Sequence, residues 1–317
     1  MKRQIVKFFN AYWLKEYIML LKYYKISFKP QKKALLVSVI DNRRNCQGLT
    51  DRFKGIVTVY ALSKGLNMEF KCIFTHPFNL TDFLHPNEYN WVAQANELST
   101  AMKDVRIKIM RKEPTLKRLL RMFPTDKQIL VYANYDYLEE INQKYAQDFQ
   151  WGKLFKELFK PSKELEAQLD FHLKTLHEGK YIACVFRFQS LLGDFKEYHY
   201  QALPVNEQEE LIEKNKNALN NLVQNSSCPV LVTSDSLKFI SRIKNIKNIH
   251  TLPGKVVHLD CVIDEQKEVY MKSFIDFFML AKSTKIYSIG TKMMYPTNFP
   301  VYAAKINNIP FERILID

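Results

Sequence analysis

Apolar positions in the first half of the chain alternate between short continuous runs and longer amphipathic stretches. The short runs predict strands over residues 34–40, 69–74, 105–110 and 129–133, and the stretches between them predict helices. Strands that alternate with helices pair in parallel and are covered on both faces. This half therefore indicates an α/β domain with a mostly parallel sheet.

A second alternating series begins near residue 180. It predicts strands over residues 181–188, 229–233 and 285–288 and near His250 and Val257, and helices from Asn206, after Asp235, over 265–282 and over 301–307. Asn206 with Glu209 forms a capping-box pattern at the start of its helix. Between the two series, residues 135–178 are nearly all helical in pattern, with a fresh start at Pro161–Ser162. We predict a basic segment over 1–33, a first domain over 34–165 and a second over 166–317.

The N-terminal segment, residues 2–28, mixes aromatic residues and leucines with lysines. Its longest uncharged stretch is far shorter than the ~20 residues that span a bilayer. Two interpretations stay open. The segment either lies at an anionic membrane surface, with its aromatics in the headgroup layer and its lysines on lipid phosphates, or packs as a helix on its own domain.

Charge and cysteine content narrow the functional classes. The net charge of +14 comes from two stretches, residues 1–33 with nine basic residues against one acidic, and 101–122 with eight against two. Such confined basic patches suit anionic lipid or phosphorylated ligands, and without a nucleic-acid-binding module we predict no nucleic-acid partner.

Five scattered cysteines without a CxxC pair indicate a reducing, cytoplasmic setting. The scattered histidines give no metal-ligand spacing, so no metal is expected.

Gly48–Gly65 reads GLTDRFKGIVTVYALSKG and follows the first predicted strand. Gly48 allows a tight turn, and Gly55 lets another element approach the helix closely. Asp51 and Arg52 fall in the first turn, at the positive end of the helix dipole. The alternative is an ordinary strand-to-helix turn with Arg52 on the surface.

The second series opens with CVFRFQSLLGD, in which Arg187 follows a core strand. A guanidinium there can hold a diphosphate bidentately, or it can pair with a carboxylate inside the protein. Asp194 follows after a short loop. Asp235, in TSDS, either contacts ribose or sugar hydroxyls or caps the next helix, which is the usual role in such a turn.

Four motifs in this order resemble the fucosyltransferase superfamily, which contains protein O-fucosyltransferases, α1,6- and α1,2-fucosyltransferases and bacterial enzymes that build surface glycans. They are G-x-x-D-R-x-x-G after the first strand, a strand ending in Arg followed by Asp, the S-D-S strand end, and TNFPVYAAKI. The resemblance runs from about Ala34 to Phe311. It implies a GT-B architecture, two Rossmann-like domains with mostly parallel sheets facing across a cleft, and inverting, metal-independent transfer from GDP-fucose.

The resemblance also implies roles for individual residues. Arg187 matches the arginine that holds the diphosphate, Asp276 the aspartate that contacts the base or sugar, and Thr297–Asn298–Phe299 the segment near the diphosphate. Gly48 and Arg52 match the first-domain loop that lines the cleft. The family is inconsistent about its base, for which Asp194 and then Glu197 are the candidates beyond Arg187. Val185 stands where many members carry histidine.

The predicted function is transfer of fucose, or a similar sugar, from GDP-fucose to a glycan acceptor in polysaccharide biosynthesis, with no cofactor or metal. The expected partners are the nucleotide sugar and a glycan acceptor, either free or lipid-linked, and the expected location is the cytoplasm, at the periphery of the inner membrane face. The alternative is a catalytically inactive nucleotide- or glycan-binding protein of the same fold.

Overall fold

The computed structural model describes residues 12–28, 32–44, 47–110, 123–176, 180–195, 201–260 and 266–316. The chain divides into two compact units. Unit 1 comprises Met1–Leu80 and Pro86–Lys160, and unit 2 comprises Thr81–His85 and Pro161–Asp317.

Unit 1 is built on a four-stranded parallel sheet with strand order β2-β1-β5-β4. Its principal elements are α1 (Tyr12–Tyr23), β1 (Leu35–Ile40), α2 (Leu49–Leu66), β2 (Phe70–Phe74), β4 (Val105–Met110), β5 (Gln128–Ala133), α3 (Leu138–Tyr145) and α4 (Trp151–Leu158). The short strands β3 (Leu84–Pro86) and β6 (Phe159–Pro161) and the 3₁₀ turn Leu80–Asp82 lie where the chain passes between the units. All four predicted strands of this half are confirmed.

The largely helical character predicted for residues 135–178 is confirmed for the described residues, but as separate helices, because the chain turns twice within the stretch. Ala146 ends α3 in the left-handed conformation, and Phe149 exchanges backbone hydrogen bonds with the side-chain amide of Asn142. A strand then precedes α5 (Lys163–Thr175). Ser162 caps α5 by accepting a hydrogen bond from the backbone N–H of Leu165, so the predicted fresh start is confirmed.

Two glycines of the Gly48–Gly65 stretch have different roles. A Cβ atom on Gly55 would lie 1.9 Å from the carbonyl oxygen of Ala133, so α2 can pack this closely on β5 only with glycine there. Gly48 has φ −68°, a conformation open to any residue, and the left-handed residue is its neighbour Gln47. The predicted need for glycine in the turn is therefore wrong at Gly48, and the predicted close approach at Gly55 is confirmed.

Helix α1 packs on the sheet of unit 1. Met19 joins the apolar cluster formed by residues of β1, β4 and β5, and the buried carboxylate of Glu16 accepts a hydrogen bond of 2.9 Å from the backbone N–H of Ile109. Tyr17, Ile18 and Leu21 remain exposed. The described part of the segment thus packs on its own domain and also presents an apolar face. Within the described ranges, no helix is both long and apolar enough to cross a membrane.

Unit 2 is built on a five-stranded parallel sheet with strand order β11-β10-β7-β8-β9. Besides α5, its principal elements are β7 (Ile182–Phe186), α6 (Val205–Gln224), β8 (Val230–Ser234), α7 (Leu237–Ile243), β9 (Ile249–Thr251), α8 (Lys267–Ala281), β10 (Lys285–Gly290), α9 (Phe299–Asn307) and β11 (Phe311–Leu315).

Most elements predicted for this half are confirmed, with three differences. Helix α6 begins at Val205 after Pro204, without a side-chain cap, so the predicted capping box at Asn206 is wrong. Val257 lies outside any strand. The edge strand β11 was not predicted, because FERIL carries two charges in five residues.

Candidate functional site

The candidate site lies at the carboxyl edge of the unit 2 sheet. Strand β7 pairs with β8 through Phe186 and Ser234, and with β10 through Val185 and Ser288, all in parallel. The loops that follow these strands therefore meet at one edge, which is where ligands bind in parallel α/β sheets. Of the sequence-predicted residues, this edge brings together Arg187, Asp194 and Asp235.

Arg187 forms an ion pair with Asp235. Its Nη1 lies 2.9 Å from Oδ2 of Asp235, whose two carboxylate oxygens also accept hydrogen bonds from the backbone N–H groups of Phe188 (2.9 Å) and Gln189 (2.7 Å). Burial raises the pKa of Asp235, although Arg187 and the N–H groups favour its charged form. Asp235 thus fixes both the arginine and the turn after β7. The predicted helix-cap role belongs instead to Ser236, which accepts from Phe239 N–H.

Arg187 also contacts an aromatic ring. Its guanidinium carbon lies 4.5 Å from the ring centroid of Phe195, within the range of a cation–π interaction. The Arg187 side chain remains 18% exposed. Carboxylate and ring together hold the guanidinium in one orientation at the sheet edge. Sequence reasoning missed Phe195, which stands directly after Asp194 and resembles an ordinary core residue.

Asp194 forms hydrogen bonds between the loop after β7 and the start of α7. Its Oδ2 accepts hydrogen bonds from the Ser236 hydroxyl (2.9 Å) and the Lys238 backbone N–H (2.8 Å). Its Oδ1 is buried and has no hydrogen-bond partner among the described residues. Oδ2 therefore holds the loop in position, whereas Oδ1 makes no hydrogen bond with the described residues. Glu197, the second candidate base, lies outside the described residues.

Thr297, Asn298 and Phe299 form the start of α9. The Thr297 hydroxyl accepts a hydrogen bond of 3.2 Å from the backbone N–H of Phe299, and Arg313 donates to the Thr297 carbonyl at 2.9 Å. Asn298 is exposed at the N-cap, without a side-chain cap bond. Strands β10 and β7 are parallel neighbours, so the loop from β10 to α9 leaves the sheet at the same carboxyl edge as Arg187. The first N–H groups of a helix suit an anion.

Asp276 lies on α8 and is buried, in an ion pair with Lys272. Burial raises the pKa of Asp276, against the effect of Lys272. Lys272 was not predicted as a site residue, yet it lines a cavity at the ends of β8 and β9. The signal was available, since Lys272 stands four residues before Asp276 in a mostly apolar part of α8, and residues at this spacing are neighbours on a helix.

Arg52 of unit 1 is buried, with 1% of the residue exposed, so the surface interpretation is wrong. Its Nε donates to the carbonyl of Gln47 at 2.9 Å and its Nη1 to the carbonyl of His76 at 2.5 Å. Arg52 thus ties together the loops after β1 and β2. Gly48 is the N-cap residue of the same helix.

Groups of three or more His, Cys, Asp or Glu side chains that could hold a metal do not occur within the described ranges.

The fold resembles that of several solved fucosyltransferases, although no protein-family model and no curated protein sequence matches the chain. NodZ α-1,6-fucosyltransferase soaked with GDP-fucose superposes with a TM-score of 0.55 at 12% identity, over 87% of this chain and 93% of NodZ. NodZ from Bradyrhizobium gives 0.52 at 12%, over 87% and 93%. A FUT1 variant from Arabidopsis thaliana in complex with GDP gives 0.58 at 12%, over 96% and 75%. The chain therefore has the GT-B fold of these fucosyltransferases, which confirms at the level of the fold both the predicted fold class and the resemblance seen in the sequence.

Proposed function

We propose that the protein is a glycosyltransferase that moves fucose, or a similar sugar, from GDP-fucose to a glycan acceptor, with inversion and without a metal. The observation that carries this proposal is the position of Arg187, which is held at the carboxyl edge of a fold shared with fucosyltransferases solved with GDP-fucose and GDP. We assign donor binding to residues 166–317 and acceptor binding to residues 34–165.

The proposed role of Arg187 is electrostatic. As the bond between the sugar and the diphosphate breaks, the bonding electron pair moves onto the departing diphosphate oxygen, and negative charge develops there. A guanidinium fixed by Asp235 and Phe195 meets that charge without reorganising. The hydroxyl of Thr297 and the first N–H groups of α9 would add neutral donors at the same edge.

Inversion requires the acceptor hydroxyl to attack from the opposite side of the sugar and to lose its proton to a base. We assign this role first to Asp194 and second to Glu197, which both follow Arg187 along the chain. The balanced step forms one C–O bond, breaks another, and leaves the proton on the carboxylate and the electron pair on GDP.

Titration with GDP and a transfer assay with GDP-fucose over a panel of glycans test the proposal. We expect binding of GDP and release of GDP that depends on acceptor. Arg187→Ala should lose both, whereas Arg242→Ala, which removes an exposed arginine paired with Glu209, should keep both. Equal GDP affinity in the folded Arg187→Ala protein would contradict the assignment.

A second candidate is a nucleotide- or glycan-binding protein without catalysis. It is favoured by the ion pair of Arg187 with Asp235, and by Val185 in place of the histidine that the family resemblance implies. This candidate predicts tight GDP binding with no turnover of GDP-fucose on any acceptor. The same two assays therefore separate it from the enzyme.

We further propose that the exposed face of α1 lies on anionic membrane on the cytoplasmic side, where a lipid-linked acceptor for polysaccharide synthesis would be held. Ile18 and Leu21 are exposed on α1, which also carries Lys15 and Lys22, and Phe28 is exposed beyond the end of the helix. Apolar side chains flanked by lysines suit the headgroup layer of anionic lipid.

The test uses sedimentation with vesicles that contain phosphatidylserine. Ile18→Gln/Leu21→Gln should release the protein without unfolding it, because both side chains point away from the core. Phe171→Gln, which changes an exposed aromatic of unit 2, is the control. Equal sedimentation of all three proteins would refute membrane binding through α1.

A further inference from the structure

The end of α1 contacts the loop that follows β1 in unit 1, and two cations meet there at one aromatic ring. Tyr23 is the last residue of α1. The Nζ of Lys22 lies 5.2 Å from the centroid of its ring, and the guanidinium carbon of Arg43 lies 4.3 Å from the same point. Both distances are within the range of a cation–π interaction. The two positive charges therefore lie within about one Debye length of each other, and an anion that contacts both would relieve their repulsion.

Arg43 is held in place by its own loop. Its backbone N–H donates to Oδ1 of Asp41 at 3.0 Å, and its Nε lies 3.5 Å from Oδ2 of the same carboxylate. The Tyr132 hydroxyl also donates to this Oδ2, at 3.3 Å. The Arg43 side chain is 33% exposed, whereas that of Asp41 is 14% exposed. The more buried carboxylate thus orients the arginine, whose side chain stays partly accessible to a ligand from solvent.

Exposed apolar side chains lie on both sides of Lys22 along the chain. Ile18 and Leu21 are exposed on α1, and their spacing of three and four residues places Ile18, Leu21 and Lys22 on one face of the helix. Ile26 and Phe28 are exposed beyond its end. Apolar groups next to a pair of cations suit a ligand that joins a hydrocarbon chain to an anionic head.

We propose that Lys22, Tyr23 and Arg43 form a binding site for the diphosphate of a lipid that carries a glycan. The inference rests on the proposed function, because it assumes that α1 lies on anionic membrane. With Ile18 and Leu21 in the headgroup layer, Lys22 lies at the depth of the lipid phosphates. A diphosphate has more charge and more acceptor oxygens than the single phosphate of a phospholipid. It can therefore engage an ammonium and a guanidinium fork together.

The site also narrows the class of acceptor. Arg43 and Gly48 both belong to the connection between β1 and α2, which leaves the sheet of unit 1 at its carboxyl edge. A glycan attached to a diphosphate at Arg43 would begin at this edge, in the domain to which we assign acceptor binding. The acceptor inferred from this site is a glycan on a lipid diphosphate rather than a free glycan.

Sedimentation with three kinds of phosphatidylcholine vesicle tests the site. One kind has no added lipid, one contains phosphatidylserine, and one contains undecaprenyl diphosphate, with the two anionic kinds matched in surface charge by electrophoretic mobility. We expect the diphosphate vesicles to bind at least about tenfold more tightly than the phosphatidylserine vesicles. An additional hydrogen bond between charged groups is worth about that factor.

Arg43→Lys should abolish this preference and keep the binding to phosphatidylserine vesicles, because lysine keeps the charge beside Asp41 and loses the fork. Lys22→Gln should also lose the preference, and should bind both anionic vesicles more weakly. Lys25→Gln is the matched control, since Lys25 is an exposed lysine just beyond the end of α1. It should weaken binding to both anionic vesicles by the same factor and leave the preference unchanged.

Equal binding of the two anionic vesicles by the unchanged protein would overturn the inference, and this result needs no variant. An Arg43→Lys protein that keeps the full preference would overturn it as well. If no vesicle binds, the membrane proposal for α1 fails and this site fails with it. Titration with GDP gives an independent readout: a protein that prefers the diphosphate vesicles but does not bind GDP would refute the transferase and leave the lipid site standing.

Discussion

Arg52 and Arg187 both lie near the carboxyl end of a strand in a parallel sheet, but their surroundings differ. Arg52 is 1% exposed and donates to two backbone carbonyls. The Arg187 side chain is 18% exposed, pairs with a buried carboxylate and lies over an aromatic ring. Both are held by polar contacts, but of the two only the Arg187 side chain is partly exposed.

The difference indicates different functions for similar residues. The donors of Arg52 join the loops after β1 and β2 through the carbonyls of Gln47 and His76, so its main contribution is to the stability of unit 1. Asp235 orients Arg187, whose side chain remains partly exposed at the edge where an anion can approach a guanidinium. We therefore infer that the resemblance to fucosyltransferases carries over to function more directly at Arg187 than at Arg52.

The largest effect should come from Arg187→Lys, which should lose transfer altogether. Lysine keeps the charge beside Asp235 and so protects the fold, but a point charge cannot reproduce the bidentate fork. Loss of a hydrogen bond to a charged group costs ~1.5–3 kcal/mol, so GDP affinity should fall about 10- to 150-fold. Titration with GDP and the transfer assay measure both, and near-normal transfer would remove Arg187 from the mechanism.

Arg52→Ala should have the next largest effect, on stability. It empties a fully buried site and leaves the carbonyls of Gln47 and His76 without their donor, which together should cost ~3–5 kcal/mol. All three tryptophans lie in unit 1, so the fluorescence change in urea reports the unfolding of that unit.

Arg106→Ala is the matched control in unit 1, because Arg106 is only partly buried and donates to carbonyls near its own strand. It should cost clearly less than Arg52→Ala. If Arg52→Ala instead keeps its urea midpoint and loses transfer, Arg52 has the ligand-binding role that the family resemblance implies, and the contrast with Arg187 is refuted.

Asp194→Asn should lower kcat by roughly 10²–10⁴ with little change in GDP binding, because it removes basicity and keeps shape. Ser236→Ala separates two explanations, since Ser236 donates to the Oδ2 of Asp194 but is no base. If both variants lose kcat equally, Asp194 acts by holding the loop in place. If neither loses it, Glu197 is the next residue to test.

Apart from β11, the strands of the two main sheets could be predicted because each is a short, mostly apolar run with β-branched residues, and the parallel order of these sheets follows from the helices between them. The edge strand β11 could not, because its exposed positions carry charge. The break between helices α3 and α4 could not be predicted, because the left-handed Ala146 that separates them is not a residue type that signals a break.

The site was predictable in its residue types and less so in its contacts. Arg187 on the strand end was identifiable because a long cation after an apolar run needs an anion. Its partner Asp235 lies 48 residues away, and only the register of β7 with β8 brings the two together. Lys272 escaped notice because a pair inside an apolar helix gives no indication of the cavity beside it.

The smallest predicted effect is a pH dependence of the stability of unit 2. It comes from titratable side chains buried around Lys272, a situation that Arg52 in unit 1 does not share. Burial, followed by the charge of Lys272, lowers the pKa of His172, while Asp276 raises it to a lesser degree. The folded state therefore holds His172 neutral, whereas the unfolded chain binds a proton below about pH 6.5. The unfolded state then binds more protons, so stability is full above that pH and falls as the pH drops toward the lowered pKa.

The slope of this loss cannot exceed ~1.4 kcal/mol per pH unit for one group. Asp276, whose pKa is raised, acts in the opposite sense: its contribution is full below about pH 3.9 and is lost as the pH rises from there through the raised pKa. Hydrogen exchange of the amides in α5 and α8 at pH 7.5, 6.5 and 5.5, corrected for intrinsic rates, measures the local free energy of opening. His172→Gln should flatten the fall between pH 6.5 and 5.5, and His85→Gln, at an exposed position, should leave it unchanged. An equal slope in the His172→Gln protein would show that this histidine is not the group that titrates, and that the buried charges of unit 2 are as insensitive to mild acid as Arg52 in unit 1.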